Sequence, residues 1–429
     1  MTTQPAITAR ADRALIRPHA RSHRFVLVQV TAPPAARQRE RLPVNLAFVL
    51  DRSGSMSGDK IELAKRTIAA ALEHLNERDR FSVVVYDDVV DVVVQSTPGS
   101  TEARRNAMAR LDAIDARGST NLSEGWFRGA EQVASHLAAD GVNRCLVLTD
   151  GLANNGVTDP VELSKHAAEL RTRGVSTTTF GIGADFDEVL LQSMADAGGG
   201  HFYFVRDAAT IRDHITSEVG ETLEIVARDV ELEVVAAEDI GIEAISPQPT
   251  RPRGSRTLIT LGDLVADQVL DVVLRVTFPY GEIGREPGLI FGLTDRGGVL
   301  AGDGRQAATD ARLSWTYADD AANDVQARDT EVDRAVATQF AARARLEAVR
   351  LNRQGDYQGA RRVLDGTGRR IRGYAGRNRK LREIARDLAA EVDVFAAPMA
   401  PLTLKEAHFA SANVARTRDA QGRSLKRRA

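Results

Sequence analysis

The chain has little cysteine, few aromatics and no long apolar run, and each shortage removes a class of protein. A single cysteine, Cys145, among 429 residues excludes an internal disulfide and points to a reducing compartment. It lies in the apolar run "RCLVLTD" and reads as a core residue rather than a nucleophile. Nowhere do the roughly 18–20 consecutive apolar residues of a membrane helix occur, so no membrane span is expected. The opening segment "MTTQPAITARADRALIRPHARSHR" has arginines but no continuous apolar core and does not read as a secretory leader. Cytoplasmic location is the expectation. The chain also lacks a strong charge of either sign, with a net charge of −2. Basic residues nevertheless predominate near both ends, while Asp and Glu gather in the middle. Aromatics, only 5% of the chain, are sparse in those basic stretches, so base stacking has little to work with there.

What is present is ordinary globular composition, 43% hydrophobic and 27% charged, in a chain long enough for two or three domains. From Val44 to about Gly220, short apolar runs alternate with helical periodicity. "VNLAFVLD" is continuously apolar up to its aspartate, as a strand covered on both faces should be. "GDKIELAKRTIAAALEHLNERD" places Ile61, Leu63, Ala64, Ile68, Ala71, Leu72 and Leu75 at helical spacing. Strands follow at "RFSVVVYDD", "VVDVVVQS", "RCLVLTDG", "VSTTTFGIG" and "HFYFV", separated by segments with helical spacing. This order predicts an α/β, Rossmann-like domain with a mostly parallel sheet and helices on both faces.

Beyond about Glu221 the chain turns to short Val-, Ile-, Leu- and Thr-rich segments bounded by Pro, Gly and Asp, the pattern of an antiparallel β-sandwich. "HRFVLVQVTAP" is predicted to join that sandwich, which would make the α/β domain an insertion within it. From about Asp324 to Asp393 the spacing is helical, with a hairpin turning at Gly355–Asp356. The expected divisions are an N-terminal arm (1–22), a strand and linker (23–42), the α/β domain (43–220), the β-sandwich (221–320), a helical hairpin region (321–395) and an extended basic tail (396–429).

Ligands of open α/β sheets collect at the carboxyl ends of strands, near the point where strand order reverses. Asp51 stands at such an end, in "LDRSGSMSG", followed by Ser53 and Ser55 at alternate positions. All three carry oxygen, and alternate spacing on an extended turn sends them to one side. Thr120 in "ARGSTNLSEG" and Asp150 in "LVLTDGLANN" belong to loops on the same edge. Hydroxyls and carboxylates without His or Cys suit a hard cation, Mg²⁺, Mn²⁺ or Ca²⁺, rather than zinc.

These residues resemble the metal-ion-dependent adhesion site of von Willebrand factor type A domains, with all five positions present in the family's order. The resemblance extends over about Leu42 to Gly220, through "GIGADFDEVLLQSMADAGGGHFYFV", and the overall arrangement resembles uncharacterised bacterial proteins carrying this domain. It implies Ser53 and Ser55 as direct ligands, Thr120 as a conformation-sensitive one, and Asp51 and Asp150 acting through water. It further implies a divalent cation, Mg²⁺ foremost, with a position left open for an Asp or Glu carboxylate of a protein partner. Ligation there would couple to movement of the segment "DAATIRDHITSEVGETL".

Two other classes compete with this reading. An enzyme would need a nucleophile–histidine–acid arrangement or a phosphate loop, and neither stands out. Adjacent Asp87 and Asp88 fit hairpin-turn chemistry better than acid–base work. The alternative to protein binding is an RNA- or polyanion-binding protein that uses the arginines between Arg361 and Arg386, with the α/β domain as scaffold. The expectation is a non-enzymatic, cation-dependent protein-interaction module. Nucleic acid is not the expected partner, and the sequence sets no oligomeric state.

Overall fold

The run Val44–Asp51 is a strand buried along its whole length. The computed structural model describes residues 6–35, 41–152, 155–206, 208–237, 239–300 and 311–427. Parts of the expected arm (1–5), linker (36–40), Asp150 loop (153–154) and tail (428–429) lie outside the described residues, as does Asp207 before the last helix of the α/β domain.

Three strands come first: β1 (Ala6–Ala11), β2 (Leu15–Ile16) and β3 (Ser22–Thr31). Ala35–Arg228 then form one unit. Its elements are β4 (Val44–Asp51), α1 (Asp59–Glu73), β5 (Arg80–Tyr86), β6 (Val90–Pro98), α2 (Thr101–Asp112), α3 (Leu122–Ala134) and β7 (Val142–Thr149). It continues with α4 (Pro160–Thr172), β8 (Ser176–Ile182), α5 (Glu188–Gly198), β9 (Gly199–Val205) and α6 (Ala208–Leu223). The sheet order is β6-β5-β4-β7-β8-β9, parallel except for the β5–β6 pair. The chain moves outward from β4 to β6, then returns to β7 and moves outward the other way. The order therefore reverses between β4 and β7, where Leu50 lies opposite Leu148.

Local chemistry sets these elements. β7, like β4, is buried at every position because helices cover both faces. Helix α4 starts with an Asp159 cap on Glu162 N and Pro160 in its first turn. Helix α5 ends at Gly199 in the left-handed region, φ 71°.

The second unit comprises Met1–Pro34 and Asp229–Ala429. β10 (Ile225–Val235) leads into β11 (Gly241–Ala244), β12 (Thr250–Arg253), β13 (Arg256–Val265), β14 (Val269–Phe278), β15 (Gly288–Thr294), β16 (Ala311–Ser314) and β17 (Thr316–Tyr317). Helices α7 (Asp320–Val325), α8 (Thr330–Arg353), α9 (Tyr357–Ala375), α10 (Arg379–Phe395) and α11 (Pro401–Ala415) follow. Two antiparallel sheets run in the orders β1-β3-β14-β11 and β12-β13-β10-β15-β16. Burial alternates along β10 and β14, in contrast to β4, because only one face of each sheet is covered.

Two segments differ from expectation. Residues 6–11 are not an arm but β1, paired antiparallel with β3 from Ala6↔Thr31 to Ala11↔Val26. Alanines and arginines in "AITARA" mask the alternation that identifies a strand. Nor is 396–429 an extended tail. Pro401 at its first turn opens α11, which buries Leu404, Phe409 and Ala412. Leu404 joins the core made by Ala341, Ala348, Leu364, Ile371, Leu381 and Leu388 of α8–α10, so the hairpin grows into a four-helix cluster. Past α11 the chain returns to β14, where Val269 N donates to Leu425 O at 2.7 Å.

Candidate functional site

The loop after β4 starts from Asp51, which is fully buried. Its Oδ1 accepts the backbone N–H of Ser53 at 2.8 Å, and its Oδ2 accepts the Thr149 hydroxyl at 2.6 Å. Burial pushes the Asp51 carboxyl up to about 6, against the pull of those hydrogen bonds, and the neighbouring Asp150 charge pushes the same way. Residues Gly54–Met56 then make one turn of 3₁₀ helix, anchored by the buried Met56. Gly54 N donates to Gly118 O at 3.1 Å, which ties this loop to the one carrying Thr120.

The two serines do converge. Ser53 Oγ lies 3.1 Å from Ser55 Oγ, and Ser55 Oγ donates to Asp150 Oδ1 at 2.7 Å. Asp150, next after β7, is itself fully buried. Thr120 is buried in the third loop, and Asn121 beside it caps α3 by accepting from Glu124 N. A Cβ at Gly151 would stand 3.1 Å from Thr120 Oγ1, so the Thr120 hydroxyl rests against the backbone that carries Asp150. All five residues marked by the sequence thus belong to loops that touch at the β4–β7 reversal.

Four further residues, Thr149, Lys60, Arg52 and Arg117, escaped the sequence reading. Thr149 holds Asp51. Lys60 donates from Nζ to Asp150 Oδ2 at 2.5 Å and to Ser55 O at 3.2 Å. Arg52, whose side chain is 7% exposed, donates to Asp87 Oδ2 at 3.0 Å and to Asp91 Oδ2 at 2.6 Å. Arg117 donates to the same Asp87 oxygen at 2.8 Å, and its N–H bonds Arg52 O at 2.7 Å. Burial alone would raise the Asp87 carboxyl, but Arg117 and Arg52 outweigh it and hold it below the usual range. Asp88 accepts from Ser119 N at 3.2 Å and from the Ser119 hydroxyl. The Asp87–Asp88 pair therefore fastens loops together. One signal for Lys60 was legible: a cation in a helix's first turn opposes the macrodipole and needs a partner.

Elsewhere, burial pushes the Cys145 thiol up to about 12, which suits a core residue. No helix among the described residues is long and apolar enough to cross a membrane.

Residues 45–217 match the von Willebrand factor type A domain. Such domains generally mediate protein–protein interaction and adhesion, and commonly bind a divalent metal. The fold resembles a solved von Willebrand factor type A structure from Catenulispora acidiphila, with TM-score 0.70 and 18% identity over 99% of this chain and 98% of that one. The uncharacterized protein YfbK of Escherichia coli is 31% identical over 211 residues, 48% of this chain and 36% of that protein. The uncharacterized protein sll0103 of Synechocystis is 28% identical over 269 residues, 59% of this chain and 62% of that protein. The chain thus spans less than two thirds of either relative.

Proposed function

We propose that the type A region holds a divalent cation on Asp51, Ser53, Ser55, Thr120 and Asp150, and through it captures an acidic side chain of a protein partner. The observation that carries this reading is a shortage of positive charge: two fully buried carboxylates, Asp51 and Asp150, are matched by one ammonium, Lys60, whose side chain is 34% exposed. Buried carboxylates ordinarily come paired or on a metal. The donor set fits a hard cation because it is all oxygen and rich in hydroxyls. Among the described residues no three His, Cys, Asp or Glu side chains cluster, so the hydroxyls are essential to it.

When bound, the cation supplies positive charge with a coordination position open to an anionic oxygen. The chain's own residues orient the donors. Thr149 and Ser53 N fix both Asp51 oxygens, and the Arg52–Asp87–Arg117 cluster holds the first and third loops together. Ser55, exposed at the mouth, stands where a partner carboxylate would arrive. Mg²⁺ is the proposed ion, and we read the protein as a cytoplasmic, non-enzymatic interaction module. Of the arginines between Arg361 and Arg386, Arg369, Arg379 and Arg386 pair with carboxylates, and no observation favours the polyanion alternative.

The test is an affinity capture from extract with Mg²⁺ or with chelator, repeated with Asp51→Ala. Partner loss with chelator and with the variant is expected. A partner retained equally in all conditions removes the cation from the mechanism.

A further inference from the structure

We infer that Lys60 is a tethered competitor for the cation site: its ammonium neutralises Asp150 when no metal is bound and must leave when one enters. This deepens the proposed function and rests on it. Lys60 Nζ lies on the same Asp150 carboxylate that accepts from Ser55, and it also bonds Ser55 O at 3.2 Å. It therefore bridges two of the site's loops, on the Asp150 carboxylate and on the Ser55 main-chain carbonyl.

Its position argues that this contact is what holds it. Lys60 is the second residue of α1, at the positive end of the helix dipole, where carboxylates are favoured and ammonium groups are not. No side chain caps this helix start, because Gly58 stands at the cap. The offset is the charge-assisted bond to a fully buried carboxylate. Release is open to solvent, because the side chain is one-third exposed. An ammonium supplies one charge and no coordination position, so the lysine-closed site has nothing to offer a partner's carboxylate. Binding of the ion and exposure of an anion-binding position then become one event.

The experiment compares wild type, Lys60→Met, Lys60→Arg and Asp51→Ala by calorimetric titration with Mg²⁺ and Mn²⁺ alone, with thermal unfolding of each in chelator. Removing a charge-assisted competitor is expected to tighten ion binding about ten-fold in Lys60→Met. Lys60→Arg should stay near wild type. In chelator, Lys60→Met should melt lower than wild type, and saturating Mg²⁺ should abolish that deficit. Equal or weaker ion binding by Lys60→Met overturns the inference, while wild-type binding that Asp51→Ala abolishes leaves the cation site itself standing. No binding by wild type or Lys60→Met at millimolar ion overturns both.

Discussion

Asp51 and Glu218, fully buried carboxylates of the same α/β unit, are neutralised in opposite ways. Glu218, on α6, receives Arg144 at 2.7 Å, His201 at 3.0 Å, the Thr178 hydroxyl at 2.7 Å and the Tyr203 hydroxyl at 2.9 Å. Burial alone would raise its carboxyl, yet the charges of His201 and Arg144 prevail and hold it well below the usual range. At Asp51 burial prevails over the hydrogen bonds from Thr149 and Ser53. Glu218 has its counter-charges within the chain, on Arg144 and His201, whereas Asp51 is held by neutral hydrogen-bond donors. The difference separates a buried charge that pins α6 from the one where the proposed cation would sit.

The largest effect should come from breaking the Glu218 side. Arg144→Met leaves Glu218 without its guanidinium and should cost about 3–5 kcal/mol in urea unfolding at neutral pH. Asp51→Asn in chelator should cost far less, since it removes a buried charge that has no buried counter-ion. A large loss in both would erase the contrast. The pH dependence has a definite sign on the Glu218 side. Its folded-state value is depressed, so its stabilisation is complete above its ordinary value of 4.5 and is lost as pH falls below that, through the folded value. Glu218→Gln should flatten that acid limb of the stability profile.

The next effect belongs to the Asp51 side. A site that binds Mg²⁺ in the folded state alone gains about 2.7 kcal/mol when the ion stands at 100 times its Kd. Wild type should show that gain in unfolding experiments, reversed by chelator, and Asp150→Ala should not. A gain of equal size in the variant would place the ion elsewhere.

Much of this contrast was legible in the sequence on one side only. Asp51, Ser53, Ser55, Thr120 and Asp150 sit where runs of local pattern end, so strand ends and glycine-rich turns marked them. Glu218 carried no such mark. It appears in "ITSEVGETL" as an ordinary helical glutamate, and its partners Arg144, Thr178 and His201 are spread over β7, β8 and β9. Only the sheet order brings them together. Lys60 carried one mark, a cation in the first turn of α1, but only the fold sets the Asp150 loop beside it. β1 and α11 were missed for a different reason: their apolar content is low or interspersed, and their pairing with β3 and α8 fixes them as much as their own pattern does.

The smallest effect tests how closely the third loop abuts the second. A methyl group at position 151 would stand 3.1 Å from Thr120 Oγ1, nearer than ordinary contact, so one of the two loops must shift by a few tenths of an ångström. Gly151→Ala should therefore cost about 1 kcal/mol in chelator, at the low end for overpacking a well-packed interior. It should also weaken Mg²⁺ binding, because the displaced hydroxyl belongs to the donor set. Gly220→Ala, where nothing lies within 4 Å of the added methyl, serves as the control and should leave ion binding unchanged. If Gly151→Ala loses stability while Mg²⁺ affinity stays at the wild-type value, Thr120 packs the loop without serving the ion, and the donor set shrinks to the residues after β4 and β7.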